Sequence, residues 1–430
     1  AEGKPATMSF IRTSHFRHVF GKELPKESWY EGIQGAGVSA PDSNLVACNS
    51  KYFALAWKGG GGPFVVHPLT CTGKLERIVD KEVNPCSVFN GHSMAVQDLD
   101  FSPFHETVIA TASEDSSVRV WNFEGKLSHT CAMEQDQGAD ISVELKGHSK
   151  KATLVRWNPV ASHVVLSASF DATARIWDAS AATESLCVTL DDTAQHLSWS
   201  YDGSYFAAAT KDKKLNLYDP RTGGVSARFD GHAGSKGARV CFLGKTNMLC
   251  STGFSRQSDR QLFLYDVRAP STPVHISETT IDQSSGSLMP FYDTDTNLLY
   301  VAGKGDCTVR YYEIVDNQPH IHYVDQFSGK DPQRGLALCP KGVVDTSACE
   351  VARFLRLCDD KLVPVSFTVP RKSEQGNDDL YPDTFAGSPA LTSEEWLAGK
   401  NATPKLTPLS EAGKLNTFVL PKSNDTTLKA

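Results

Sequence analysis

The chain has 430 residues, 40% apolar and 22% charged, with a formal net charge of −7. These values are ordinary for a soluble globular protein, and the net charge without a basic tail gives no sign of wholesale nucleic-acid binding. No apolar run reaches the roughly 20 residues a bilayer-spanning helix needs, and eleven scattered cysteines without a Cys-x-x-Cys pair fit reduced thiols rather than a disulfide or zinc framework.

Residues 1–7 read as an appended remnant ahead of a natural start at Met8, with no secretory signal after it. Phe16-Arg17-His18-Val19-Phe20 alternates apolar with polar residues, which predicts a strand lying outside the first repeat. A first four-stranded unit is predicted over about 44–80, with strands at 53–57 and 64–66 around the glycines 59–62. Those glycines make a flexible turn rather than a phosphate cradle, because no helical pattern follows them.

From residue 91 a unit recurs. A Gly-His pair leads to a Ser-x-Asp turn, then to a β-rich run ending in an aromatic residue and an acidic or amide one. Gly91-His92 leads through Ser113-Glu114-Asp115 to Trp121-Asn122, and Gly147-His148 through Ser169-Phe170-Asp171 to Trp177-Asp178. Weaker copies end at Tyr218-Asp219, Tyr265-Asp266 and Tyr312-Glu313, at successive intervals of 56, 41, 47 and 47 residues. A period of about 40–45 residues with this pairing marks WD40 blades. The predicted fold is all-β, a seven-bladed WD40 β-propeller over residues 8–370. In it the N-terminal strand becomes the outer strand of blade seven and ties the two ends of the ring together.

In each complete copy the predicted network joins the His of the entering loop to the turn Asp. The same His bonds a Ser on the second strand, and that Ser reaches the Trp indole N–H. His92, Ser113, Asp115 and Trp121 fit these seats, as do His148, Ser169, Asp171 and Trp177. An unpaired group in such a buried network costs roughly 1–3 kcal/mol, so these histidines are read as structural rather than as ligands or bases. Later blades keep less of the set. His196 stands in Ala194-Gln195-His196 where a Gly-His is expected, and Arg256 to Arg260 occupy the Ser-x-Asp slot that should follow Gly231-His232. Those blades are expected to depend more on apolar packing, through the alternating runs 215–218, 262–265 and 309–312.

Beyond residue 370, Pro382, Pro389, Pro404 and Pro408 break up regular structure. Residues 371–430 are predicted to form an extension packed on the propeller, with flexible last residues, because Tyr381 and Trp396 are too apolar to be left in water. Thr392 to Leu397 is predicted as one capped helical turn, with Thr392 as N-cap and Glu395 three residues on. No heptad repeat precedes Ala430. The chain has no Gly-x-Gly-x-x-Gly, Walker or His-Glu-x-x-His pattern. Asp293 to Asn297 begins like a calcium loop, but Leu298 replaces its glycine and Lys304 its bidentate Glu, so a hairpin turn is predicted, with no metal or cofactor. The chain is read as a non-enzymatic binding protein.

Several longer motifs are more specific than a generic WD repeat. They are Ser14 to Gly21, Thr252-Gly253-Phe254-Ser255-Arg256, Val301-Ala302-Gly303-Lys304-Gly305-Asp306, Val369-Pro370-Arg371-Lys372-Ser373, Asp379-Leu380-Tyr381-Pro382, and Pro389 to Trp396. Each resembles a segment of coronins, and the likeness runs from about residue 9 to 400. The resemblance implies the seven-bladed wheel with its extension, and binding to filamentous actin. It also implies regulation of filament organisation and dynamics on the actin cytoskeleton of the cytoplasm, often alongside the Arp2/3 complex and cofilin. Two departures matter. Coronins usually end in an oligomerising coiled coil, which this chain does not show. They also carry an arginine just after a Tyr-Glu pair that contributes to actin contact; here Tyr30-Glu31 is followed by Gly32-Ile33-Gln34, so the best-matched seat is the uncharged Gln34.

An actin filament is acidic, so a chain of net −7 must meet it with local basic patches. The candidates are Arg12, Arg17, Lys22 and Lys26 near the start, Lys211, Lys213 and Lys214 in blade four, and Arg256 and Arg260 in blade five. Each is also legible as a solvated or locally paired charge, and Arg256 and Arg260 as stand-ins for the missing loop network. The alternative function is a propeller adaptor that recognises a peptide motif at its central channel.

Overall fold

Short alternating strands bury both faces of a sheet only when sheets stand side by side, and in the computed structural model seven of them do. Described are residues 14–34, 40, 42–75, 87–127, 141–268, 275–371 and 378–412. Six blades are four-stranded antiparallel meanders; blade two, for instance, runs Val96–Phe101, Val108–Ser113, Ser117–Asn122 and Ser142–Lys146 from the axis outward. The innermost strands of the other blades are Val46–Cys48, Ala152–Trp157, Ala194–Trp199, Arg239–Phe242, Leu288–Asp293 and Gly335–Leu338. Apolar side chains fill the space between each blade and the next all the way round, including the seam between blades seven and one. The fold is the seven-bladed propeller that the repeat predicts.

Blade seven closes the ring. Its chain-consecutive strands are Gly335–Leu338, Glu350–Leu357 and Lys361–Thr368, and the outer position is taken by Phe20–Glu23, with Phe20 opposite Thr368 and Glu23 opposite Val365. The pairing segment is therefore not 16–20. Phe16 and Val19 insert into the core between blades six and seven, while Phe20 is half exposed; the apolar spacing marks a turn that plugs the core before the strand begins. Gly21 is required here, since a Cβ at that position would stand 2.7 Å from Phe327 Cβ. Tyr30–Glu31 extends the same edge, opposite Leu362 and Lys361, and pairs in parallel with Gly73–Lys74.

The blade networks form with one correction. His92 Nδ1 lies 3.0 Å from Asp115 Oδ2, but its Nε2 meets Thr111 Oγ1 at 2.7 Å, and the Trp121 indole donates to that same oxygen at 2.9 Å. In blade three Ser167 plays the part of Thr111, 2.8 Å from both His148 Nε2 and Trp177 Nε1. A neutral imidazole satisfies both partners when Nδ1 donates to the aspartate and Nε2 accepts from the hydroxyl. Ser113 and Ser169 do not occupy these seats. Their hydroxyls donate to Met94 O and Lys150 O and accept from Asp115 N and Asp171 N, fastening the turn to the entering loop. Burial alone would raise Asp115, but hydrogen bonds from His92 and Ser117 outweigh it and hold its carboxyl below the usual range.

Blade five keeps more of the network than its sequence promises. His232 Nε2 meets Ser251 Oγ at 2.9 Å, and Ser251 reaches the Tyr265 hydroxyl at 3.4 Å. The imidazole also stacks on Phe263, with ring centroids 4.1 Å apart. His196, by contrast, is no entering-loop histidine. It lies buried on the innermost strand of blade four, with Nδ1 2.9 Å from Val240 O.

Antiparallel sheets send their turns alternately to the two ends of the wheel. The links between blades and the turns between second and third strands share one face, called the upper; the remaining turns share the lower. The extension packs on the lower face. Tyr381 donates to Glu350 O, Thr384 to Asp295 in blade six, and Ser393 to Asp178 in blade three. Phe385 lies against Phe104 of blade two, with ring centroids 5.9 Å apart. Trp396, fully buried, donates its indole N–H to Gly203 O in blade four at 2.9 Å. It sits on the one-turn helix Ser393–Leu397, which carries both bonds of the capping box between Thr392 and Glu395.

Candidate partner-binding face

The innermost strands expose an unpaired backbone edge to the central channel, and side chains of the preceding blade cap it. Asp98 and Asp100 accept from Val155 N and Trp157 N at 3.1 and 2.8 Å, and Ser198 accepts from Phe242 N at 3.1 Å. Burial pushes the Asp100 carboxyl up to about 7. Asp98 and Asp100 are thus engaged in joining blade two to blade three. At the upper mouth, Ala40 and Asp42–Leu45 lie across the channel. Lys304 Nζ donates to Ala40 O at 3.1 Å, Ser43 Oγ to Asp98 at 2.8 Å, and the buried Arg239 to Ser43 O at 3.1 Å. Burial and the nearby Arg239 lower Lys304 to about 7. Below, the channel widens into cavities of about 420 and 380 Å³ that Phe385 helps to floor.

The predicted contact residues fall in different places. Arg12 lies outside the described residues. Arg17, Lys22 and Lys26 are exposed along the rim of blade seven, and Lys26 pairs with Glu31 at 3.3 Å. Gln34 is exposed on the upper face, just past Ile33, whose N–H donates to Asp360 O at 2.9 Å. Lys211 and Lys213 are exposed in the upper turn of blade four, and Arg256 in that of blade five. Lys213 donates to Ala233 O at 2.8 Å, and Lys214 pairs with Asp230 at 2.7 Å.

Arg260 is a correction. It is 1% exposed, its guanidinium grips both oxygens of Asp282 at 2.6 and 2.7 Å, and it reaches Asp306 at 2.6 Å and Gly286 O at 3.1 Å. It ties blade five to blade six and offers nothing to a partner. The turn from Asp293 to Asn297 is a hairpin; its Asp293 accepts from Thr296 and Lys341, and its Asp295 from Thr384. Among the described residues no three metal-ligating side chains converge, and no helix is long and apolar enough to cross a membrane.

The sequence reading missed part of the upper face. Lys150 and Lys151 sit in the link entering blade three, and Lys151 lies 4.3 Å from the ring centroid of Phe170, which is 40% exposed in the adjacent turn. Lys236, in the link entering blade five, lies over Phe254 at 4.6 Å and shares one recess with Lys211 and Lys213. The signal was present: both stand within four residues of a Gly-His pair, where an entering loop must surface, and Phe170 puts an aromatic ring into a turn. The result is a band of cations over the upper ends of blades three to five, with one exposed ring, Phe170, beside it and Phe254 buried beneath Lys236.

Comparisons with known proteins agree with this architecture. Residues 83–122, 140–178 and 188–219 match the profile of the WD domain, G-beta repeat; residues 362–404 match a type of WD40 repeat, and 9–74 a domain of unknown function (DUF1899). Coronin-like protein crn1 of Schizosaccharomyces pombe is 40% identical over 403 residues, covering 93% of this chain, which spans 65% of that protein. Coronin-A of Dictyostelium discoideum is 39% identical, with 93% of this chain and 86% of that protein covered. For Coronin-2A of Bos taurus the figures are 38%, 92% and 74%. The crystal structure of the WD40 domain from Toxoplasma gondii coronin superposes with a TM-score of 0.83 at 28% identity, covering 91% of this chain and 97% of that one. On these matches the chain belongs to the coronin family.

Proposed function

We propose that this chain binds filamentous actin through the upper face of its wheel and acts there as a non-enzymatic regulator of filament organisation, on the actin cytoskeleton of the cytoplasm. The single observation that carries the reading is the asymmetry of the two faces. The extension occupies the lower face, while the upper one presents Lys150, Lys151, Lys211, Lys213, Lys236 and Arg256 beside the exposed Phe170 and the half-exposed Met94. Membership of the coronin family supports actin as the acidic partner; the Arp2/3 complex and cofilin are proposed on that membership alone. The peptide-reading alternative is disfavoured because Ala40 and Asp42–Leu45 lie across the upper mouth of the channel, held there by Lys304, Asp98 and Arg239.

Cosedimentation of the full chain with actin filaments tests the proposal. Binding is expected at low ionic strength and should weaken steeply as salt rises, because exposed charges are screened over about 8 Å at physiological ionic strength. An absence of binding at low salt, or binding indifferent to salt, overturns it.

A further inference from the structure

The ring is closed at its rim by the N-terminal strand, but its inner seam lies elsewhere, where the innermost strands of blades one and seven, Val46–Cys48 and Gly335–Leu338, pack side by side. Cys48 ends the first of these strands and Cys339 directly follows the second. Their sulphurs stand 3.7 Å apart, and the Cys48 thiol donates to Leu338 O at 3.3 Å. We propose that Cys48 and Cys339 form an oxidation site, which a peroxide closes into a disulfide that staples the first blade to the last.

Both thiols line the 380 Å³ cavity on the lower side of the channel, together with Asn49, Pro340 and Phe385, and Cys48 is the less buried of the pair. The reaction balances. The Cys48 sulphur attacks one peroxide oxygen, the O–O bond breaks, and a sulphenic acid forms as one water leaves. The Cys339 sulphur then attacks that sulphenic sulphur; the S–S bond forms, and the departing hydroxide takes the Cys339 proton as a second water. Two thiols lose two electrons and two protons, and the peroxide gains them. The hydrogen bond to Cys339, reinforced by burial, holds the Cys48 thiol well above its ordinary value. The first step is therefore slow at neutral pH and quickens as pH rises, because the thiolate is the nucleophile. The second step is favoured by proximity, with the resolving thiol already in contact. Bond formation needs the sulphurs to close from 3.7 Å to about 2.0 Å. The two cysteines are 291 residues apart in sequence, so the staple would close a long loop and restrict the unfolded chain strongly.

The test uses the full chain. After treatment with millimolar hydrogen peroxide, the remaining thiols are alkylated in denaturant, and the digest is analysed by mass spectrometry with and without reductant. The expected result is a Cys48–Cys339 linked peptide that disappears on reduction, with a melting temperature raised by roughly 5 °C over that of Cys339→Ala treated in the same way. Exposed Cys187 serves as the internal control for oxidation of a surface thiol. Separate sulphinic acids at Cys48 and Cys339, or a linked peptide with no rise in melting temperature, overturn the staple. If Cys339→Ala does not fold, the linked peptide of the unaltered chain and the effect of reductant on its own melting temperature still decide the question.

Discussion

Two positions along a strand decide what a hydroxyl can do. Trp121 stands opposite Ile109, so the residue within diagonal reach of its indole on the same sheet face is Thr111, two positions on. Ser113 is two positions further, roughly 7 Å along the strand, and is taken up by the turn. The sequence favoured Ser113 because blades two and three share Ser there, whereas the true seat alternates between Thr111 and Ser167, and only the hydroxyl is common. Chemistry was legible; register was not. Thr111→Val preserves shape and removes the oxygen shared by His92 and Trp121. It is expected to cost about 2–4 kcal/mol, against about 1 kcal/mol for Ser113→Ala, because the half-exposed Met94, whose carbonyl Ser113 bonds, lets water replace that bond. Urea unfolding reads both as a fall in midpoint at constant slope. A larger loss for Ser113→Ala would return the network to the seats the motif suggested.

At the scale of elements, what could be read in the sequence was local. The capping box from Thr392 to Glu395 spans four residues and forms as spaced. Repeat endings fixed the blades. Arg260 and His196 were opaque because their surroundings come from other strands: Arg260 is enclosed by Asp282 and by Asp306 of the next blade, and His196 by Val240. The closing strand was opaque for the same reason. Its anchor is an ion pair between Glu23 and Arg356, 333 residues apart and 2.7 Å long, with Arg356 wholly buried beneath it. No periodicity announces such a partner. Removing one member of a buried pair leaves the other charge uncompensated, at roughly 3–5 kcal/mol. Glu23→Ala should therefore destabilise the ring by about 3 kcal/mol and make residues before Leu24 open to limited proteolysis. Replacing Arg356 with Met in the same chain should recover part of that loss, because the stranded charge goes with it. A double variant no more stable than Glu23→Ala would mean that Glu23 acts by packing alone.

For the whole molecule, the question is whether a net-acidic wheel can have one face that attracts an acidic partner. Strands of about six residues make the wheel roughly 20 Å thick. Screening at physiological ionic strength acts over about 8 Å, so the two faces do not share a field. Net charge is then a poor guide, and local charge decides. Two double variants separate the two. Lys211→Glu with Arg256→Glu alters the upper face; Lys400→Glu with Lys405→Glu alters the extension on the lower. Each pair takes the formal charge from −7 to −11, so any effect of overall charge is the same in both. The upper pair is expected to weaken cosedimentation with actin filaments at least about tenfold, equivalent to about 1.4 kcal/mol, while the lower pair leaves it within about twofold. The contrast should shrink as salt rises, because the upper variant has lost what salt would otherwise screen. Equal weakening by both pairs would assign binding to net charge, and a loss confined to the lower pair would place the filament against the extension and leave the upper band as a solvated face.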